Sequence, residues 1–130
     1  MARVGLLVVA LATLLASAGC GGQTTYTVAP TKRCLTERGA QLTTPQGQDI
    51  VAQTATGGAF VTQLGDNFVT IAFGQTLKDG QQIEFAYQRF AYQNVRSGLN
   101  DVLKRYNNAV TLWHQHPSDS DLALIVGCLR

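Results

Sequence analysis

The clearest alternation of apolar and polar positions lies in residues 59–74, in the middle of the chain. We predict a hairpin there with a two-residue turn at Asp66-Asn67. This turn places three cross-strand pairs on one face, and five of their six side chains are apolar: Phe60 with Phe73, Thr62 with Ile71, and Leu64 with Val69. The other face is less apolar and carries Val61, Gln63, Thr70 and Ala72. Since a slip by one residue would exchange the faces, pattern and turn support each other.

Helical spacing follows this hairpin, after a break at Asp79-Gly80. One apolar stripe is formed by Ile83, Ala86, Tyr87, Phe90 and Ala91, and it predicts a helix. After Ser97-Gly98 the same spacing continues through Leu99, Val102, Leu103 and Tyr106. A second interpretation makes residues 102–106 a strand that turns at Asn107-Asn108. We rank it second, because its faces would mix Lys104 and Arg105 with apolar residues.

The remaining elements are predicted from caps and short patterns. Thr31 can cap a helix over residues 32–38 that ends at Gly39. The polar stretch 39–58 predicts a loop, with at most a short strand around residues 50–52. Residues 109–115 alternate as a strand, and Ser118 with Asp121 begins a last helix. The last apolar stripe consists of Leu122, Ile125, Val126 and Leu129.

These elements predict an α+β fold, a small sheet that contains the hairpin and is covered by helices. Their order along the chain is helix, strand, strand, helix, strand, helix. The 45% hydrophobic and 14% charged composition is that of a globular chain. The net charge of +2 provides no electrostatic footprint for a nucleic acid.

The first twenty residues have the pattern of an export signal. Arg3 is a minimal positive region, and residues 4–16 are apolar apart from Gly5 and Thr13. This run is shorter than the roughly 20 residues that span a bilayer. Ala16-Ser17-Ala18 fits ordinary signal peptidase, with a cut before Gly19. An uncleaved anchor is a third possibility.

Ser17-Ala18-Gly19-Cys20 resembles the bacterial lipobox, in which small residues precede a cysteine that receives lipid on its sulfur. The match covers only the leader, and it departs at Ser17, where that motif usually has an aliphatic residue. The resemblance implies cleavage before Cys20 and an acylated N-terminus. The chain as a whole, with this leader and a small two-cysteine domain, resembles small bacterial lipoproteins, which implies no molecular activity.

Cysteine parity favours the lipoprotein hypothesis over simple secretion. The chain has three cysteines, and secretion would leave one of them unpaired in an oxidising compartment. Lipidation uses Cys20 and leaves Cys34 and Cys128, which we predict to join the terminal helices by a disulfide. The predicted organisation is a signal peptide (1–19), a lipidated N-terminus with a flexible tether (20–30) and one globular domain (31–130).

One cluster of polar residues, at positions 113–121, could hold a metal ion. His114 and His116 would point to the same side of a strand, and Asp119 or Asp121 could supply oxygen to zinc. Two histidines are only half a site, however, and a helix cap already explains Ser118 and both aspartates. We therefore expect neither a metal nor another cofactor.

Two further groups of side chains have a functional and a structural interpretation. The aromatic residues could line a ligand groove, but core packing is the favoured interpretation. They are Phe85, Tyr87, Phe90, Tyr92, Tyr106 and Trp113. A basic set could contact anionic headgroups, but with Glu84 and Asp101 nearby we favour a solvated face of mixed charge. It consists of Arg89, Arg96, Lys104 and Arg105.

The chain contains no G-x-S-x-G, H-E-x-x-H or phosphate-loop motif. We therefore expect a non-catalytic binding or accessory module, held by acylated Cys20 on the outer face of the bacterial cytoplasmic membrane, with the bilayer and an envelope protein as candidate partners. Secretion is the alternative location. A metal-dependent protein would need a third polar group at His114 and His116. A ligand-binding protein would need an open apolar cavity, and an interaction module an exposed apolar patch, around Phe85, Tyr92 or Val61.

Overall fold

The computed structural model describes residues 24–45, 47, 49–91 and 96–130. The described helices are α1 (Val28–Glu37), α2 (Ile50–Gln53), α3 (Leu77–Phe90), α4 (Leu99–Val102) and α5 (Asp119–Cys128). The described strands are β1 (Gln41–Thr43), β2 (Ala59–Leu64), β3 (Asn67–Phe73), β4 (Leu103–Tyr106) and β5 (Ala109–Trp113). They form an antiparallel sheet in the order β1-β2-β3-β5-β4. The predicted α+β class is confirmed.

Successive side chains of each strand point to opposite faces of the sheet, and both faces carry apolar side chains. Helices therefore pack on both faces. We call the side that carries Phe60, Ile71 and Trp113 the closed face; α1 and α5 pack on it. We call the opposite side, with Val110 and Leu112, the groove face; α2, α3 and α4 pack there. The domain therefore has two apolar layers separated by one sheet.

A disulfide between Cys34 and Cys128 joins α1 to α5, with Cα atoms 5.4 Å apart. The pairing predicted from the sequence is thus confirmed. The bond lies on the closed face, where Cys128 is fully buried among core side chains. It links positions 94 residues apart, near the two ends of the described chain.

The hairpin has the predicted faces but not the predicted register. Leu64 pairs with Asn67, Thr62 with Val69, and Phe60 with Ile71. The turn is Gly65-Asp66, and Gly65 adopts a φ of +60° that glycine tolerates without steric cost. Since the register differs by two residues, each side chain keeps its face.

The N-terminal boundary predicted from the sequence is wrong. The helix begins at Val28, not after Thr31, and the chain is already held before it. The Asn108 side chain accepts a hydrogen bond from Tyr26 N at 2.6 Å and donates to Tyr26 O at 2.8 Å. Asn107 donates to Thr24 O at 2.8 Å. Residues 24–30 therefore belong to the folded body, and the segment predicted as a signal peptide (1–19) and Cys20 lie outside the described residues.

The polar stretch 39–58 is more ordered than predicted. Strand β1 pairs with β2, and a helical turn, α2, replaces the short strand expected around residues 50–52. Asp49 explains the helix, because its carboxylate accepts a hydrogen bond from Ala52 N at 2.9 Å. Gly39 is correctly predicted after α1, with a φ of +83°.

Helix α3 starts before the predicted break. Thr76 and Asp79 form a capping box, and Gly80 lies inside the helix. Glycine is needed there, because a Cβ atom at Gly80 would come within 2.6 Å of Asn108 Cα. This close approach fixes the N-terminal part of α3 against the β4–β5 turn.

The second interpretation of residues 102–106 is the correct one. Helix α4 ends at Val102 and β4 runs from Leu103 to the turn at Asn107, whose φ of +54° asparagine tolerates. The charged side chain of Arg105, which favours a helix over a strand in the sequence, forms an ion pair with Glu84 of α3 at 2.6 Å. Strand β5 and helix α5, with Ser118 accepting a hydrogen bond from Asp121 N, match their predictions.

Candidate functional site

An apolar groove of about 680 Å³ opens on the groove face, between α2 and the C-terminal half of α3. Leu112 of β5 and Leu99 of α4 lie along it. The side walls consist of Ile50, Val51 and Thr54 at α2 and of Ala86, Tyr87, Phe90 and Ala91 at α3. Asp49, just before α2, is the charged residue among the described residues that line the groove.

The groove exists because the helices on this side cover the sheet unevenly. Helices α2 and α4 are one turn each, so α3 contributes the long wall. The buried stripe of α3 runs through Gly80 and Ile83 to Tyr87, which is 7% exposed. Phe90, the next position on that stripe, is 69% exposed. The last turn of α3 therefore leaves apolar side chains open to solvent.

Tyr87 and Asp49 form the polar contact inside the groove. The Tyr87 hydroxyl donates to the Asp49 carboxylate, with its oxygen 3.1 Å from Oδ1 and 3.0 Å from Oδ2. Burial raises the pKa of Tyr87 far above its usual value, and the charge of Asp49 and this hydrogen bond raise it further. The phenol thus remains a neutral hydrogen-bond donor to Asp49.

The structure separates the aromatic set into different environments. Tyr87 and Phe90 both line the groove. Core packing, the favoured interpretation, holds for Tyr87, which is 7% exposed in the buried cluster of the groove face, but not for exposed Phe90. Trp113, 2% exposed, belongs to the closed-face core, as the favoured interpretation predicts, and half-buried Tyr106 packs against that core. Phe85 is 60% exposed on α3 but does not line the groove. Tyr92 lies outside the described residues, and Val61 is half-buried.

Most of the residues that line the groove have no signal in the sequence that assigns them to a binding site. Asp49, Ile50 and Val51 lie in a stretch predicted as loop or short strand, and Leu112 was assigned only to a strand. A local signal was present for Asp49, because an aspartate followed by an apolar pair is a common helix start. Nothing local identifies Leu112 as part of an open groove, since that depends on how far α2 and α3 lie apart.

The two histidines have different partners. His116 Nδ1 lies 2.7 Å from Asp101 Oδ1, and the His114 ring packs edge-on against Phe68, with 6.0 Å between ring centres. Asp119 and Asp121 lie in the first turn of α5. Within the described ranges, no group of three or more His, Cys, Asp or Glu side chains is arranged to hold a metal ion.

The basic residues near α3 also contact protein groups. Arg105 pairs with Glu84, and Arg96 donates to Ala91 O and Arg89 O at 3.0 and 3.2 Å. The Arg89 guanidinium lies 5.8 Å from the centre of the Phe90 ring. This part of the surface therefore combines charges of both signs with backbone contacts, beside the C-terminal end of the groove.

Among the helices of the described part of the chain, none has the length and apolar character needed to cross a bilayer. Searches against protein-family models, curated protein sequences and solved structures find no match to the chain.

Proposed function

We propose that the protein is an exported, membrane-anchored lipoprotein whose folded domain binds a small apolar ligand without catalysing a reaction. The observation that supports ligand binding is the apolar groove between α2 and α3. Its volume of about 680 Å³ lies within the range of roughly 300–1,000 Å³ that is typical of small-molecule sites. Its lining is mainly aliphatic and aromatic, with the Tyr87–Asp49 contact as its polar element, which is the usual make-up of such sites.

The chemistry of the lining supports binding rather than catalysis. Among the described residues, the groove presents no histidine, cysteine or lysine. Its carboxylate and phenol are hydrogen-bonded to each other, and the phenol is held in its neutral form. Such a pair can orient a ligand, and among the described lining residues no further titratable side chain is placed to relay a proton.

The folded body would lie close to the membrane. Cys20 precedes the first described residue, Thr24, by four positions, and the carbonyl of Thr24 already accepts a hydrogen bond from Asn107. Four residues span at most about 14 Å. An acylated Cys20 would therefore hold the β4–β5 turn within that distance of the lipid surface.

Intact-mass spectrometry of protein extracted from membranes tests the anchor. We expect cleavage before Cys20, acyl chains on it, and a mass two hydrogens below that of the reduced form. In Cys20→Ser the acyl mass should be absent. Cleavage should then shift to the Ala16-Ser17-Ala18 site, which releases the protein from the membrane fraction while the disulfide remains. An unacylated wild-type chain that begins at Gly19 would contradict the anchor and support secretion.

Fluorescence titration with N-phenyl-1-naphthylamine, a neutral apolar probe, tests the groove. The released Cys20→Ser protein is used so that neither detergent nor lipid competes. Phe90→Ala should weaken probe binding about fivefold, because partial burial of an aromatic ring contributes on the order of 1 kcal/mol. Phe85→Ala is the matched control: Phe85 is 60% exposed on α3, compared with 69% for Phe90, and lies outside the groove, so its loss should leave affinity unchanged. Absence of saturable binding, or equal effects of both variants, would overturn the proposal.

A further inference from the structure

We propose that the groove selects lipophilic cations: ligands whose apolar body lies along Leu112 and Phe90 and whose positively charged nitrogen meets the Asp49 carboxylate. This inference rests on the proposed function and deepens it, because it specifies the charge of the ligand and its orientation. A hydrophobic amine or quaternary ammonium compound is the chemical class that fits. A fatty acid or another anionic amphiphile does not.

The first support is the position of Asp49. It is half-buried and charged, and the other described lining residues are uncharged. Its carboxylate accepts hydrogen bonds from Ala52 N and from the Tyr87 hydroxyl. Both donors are neutral, and neither ion pair of the described chain involves Asp49. The carboxylate is thus held in a fixed orientation by hydrogen bonds from neutral donors, and within the described structure it makes no ion pair with a cationic side chain.

The second support is the effect of a bound ligand on that charge. An apolar body in the groove displaces water from around Asp49, and a carboxylate that loses water without gaining a cation is destabilised. A neutral ligand therefore binds against a desolvation cost, and an anionic ligand adds repulsion to it. A cationic nitrogen at Asp49 offsets the cost, so the same carboxylate attracts one class of ligand and rejects the others.

The third support comes from the aromatic rings and the neighbouring arginines, which together set the orientation. Tyr87 and Phe90 can each attract a cation through their ring faces. At Phe90, however, the Arg89 guanidinium lies 5.8 Å from the ring centre, and Arg96 is bound to the end of α3. These positive charges disfavour a second cation at the α3 end. The nitrogen is therefore expected at the Asp49 end, beside Tyr87, with the apolar body towards Phe90.

Competition among three ligands that share one alkyl chain tests the inference. Dodecyltrimethylammonium and dodecanoate below their critical micelle concentrations, and dodecanol below its solubility limit, are compared for their ability to displace N-phenyl-1-naphthylamine from the Cys20→Ser protein. We expect the ammonium compound to compete at about tenfold lower concentration than the alcohol, and dodecanoate to compete least. This preference should shrink as salt concentration rises, because the groove is open and its charges are screened.

Asp49→Asn is the decisive variant, because asparagine also caps helices and can accept the Tyr87 hydrogen bond. It should bring the ammonium compound and the alcohol to within about twofold of each other. The neutral probe should bind the variant at least as tightly as wild type, because the desolvation cost of the carboxylate is removed. Asp101→Asn is the control; Asp101 is exposed on α4 and does not line the groove. It should retain the preference for the cation.

The outcomes separate this inference from the proposed function. If the neutral probe binds but the ammonium compound has no advantage over the alcohol, the cation preference is wrong and the apolar groove stands. The same holds if Asp49→Asn keeps the preference. If the neutral probe does not bind in a saturable way, the proposed function fails and the inference fails with it.

Discussion

The two faces of the sheet are made from the same strands, yet one is filled and the other is open. On β5, neighbouring residues show the difference: Trp113 is 2% exposed in the closed-face core, whereas Leu112 lies along the groove, half-buried. Two ten-residue helices joined by a disulfide cover the closed face. The groove face has one long helix and two single turns. The amount of helix above each face therefore decides whether its apolar side chains pack together or remain accessible.

Because of this difference, we expect one face to stabilise the domain and the other to bind a ligand. The closed face holds fully buried side chains such as Phe60 and Phe73, whose rings lie 5.9 Å apart, and its buried cluster is the larger of the two described. The groove face has the open apolar surface that a ligand would cover. Changes on the closed face should affect stability, and changes along the groove should affect binding.

Removing the disulfide should have the largest effect on stability. Replacing both Cys34 and Cys128 by serine should lower the free energy of unfolding by about 4–5 kcal/mol, because the bond closes a long loop in the unfolded chain. Urea unfolding of the double variant measures this loss, and reduction of the wild-type protein is the control that leaves the sequence intact. Unchanged unfolding in both samples would show that the closed face does not depend on its cross-link.

A matched pair of phenylalanines tests the two faces against each other. Phe60→Ala should cost about 3–5 kcal/mol of unfolding free energy, since it leaves a cavity in the closed-face core. Phe90→Ala should cost less than about 1 kcal/mol, because 69% of that side chain is already in solvent. Urea unfolding compares both variants with wild type. Similar losses would contradict the distinction between a filled and an open face.

Tyr87→Phe tests the polar contact of the groove. Loss of the hydrogen bond to Asp49 should lower the free energy of unfolding by about 1 kcal/mol. The raised pKa of Tyr87 adds a pH dependence: the unfolded tyrosine ionises near pH 10 while the folded one stays neutral, so stability should fall as pH rises above about 10. Unfolding at pH 8 to 11 should show a smaller fall for the variant. An equal fall would mean that another group titrates.

Asp79→Asn should have the smallest effect and concerns the fixed end of α3. A hydrogen bond from Thr56 is the main cause that lowers the pKa of Asp79, and donors at Thr76 and Gln75 add to it. The stabilisation is therefore present above the unfolded pKa of about 3.9 and is lost as pH falls below it. Acid titration of thermal stability should be shallower in the variant than in wild type. Identical acid profiles would show that this network does not depend on the charge of Asp79.

The elements predicted correctly are those with a strong local signal. The faces of the hairpin, the strand β5, the capped helix α5 and the pairing of Cys34 with Cys128 all follow from alternation, caps or parity. The register was wrong by two residues because two adjacent turn sequences preserve the same faces, and Gly65 decides between them. The predicted tether, residues 20–30, includes residues that belong to the folded body, because Asn107 and Asn108, distant in sequence, bind Thr24 and Tyr26.

The groove itself could not be predicted from the sequence. Periodicity identifies Tyr87 and Phe90 as one apolar stripe, but it does not show that only the first of them is buried. The contact between Tyr87 and Asp49 joins residues 38 positions apart. The sequence favours a helix at Leu103 and Arg105, because helical and strand spacing overlap in short segments. The ion pair with Glu84, which stabilises Arg105 on the strand, is visible only in three dimensions.

Methyl NMR of the Cys20→Ser protein, titrated with N-phenyl-1-naphthylamine, tests the difference between the faces most directly. If the groove face is open and binds the probe, we expect saturable shifts of the methyl signals of Val51, Leu99 and Leu112, which line the groove. The buried methyl signals of Ile71 and Ile125 on the closed face should stay in place. Shifts confined to the closed face, or shifts of equal size on both faces, would contradict this expectation.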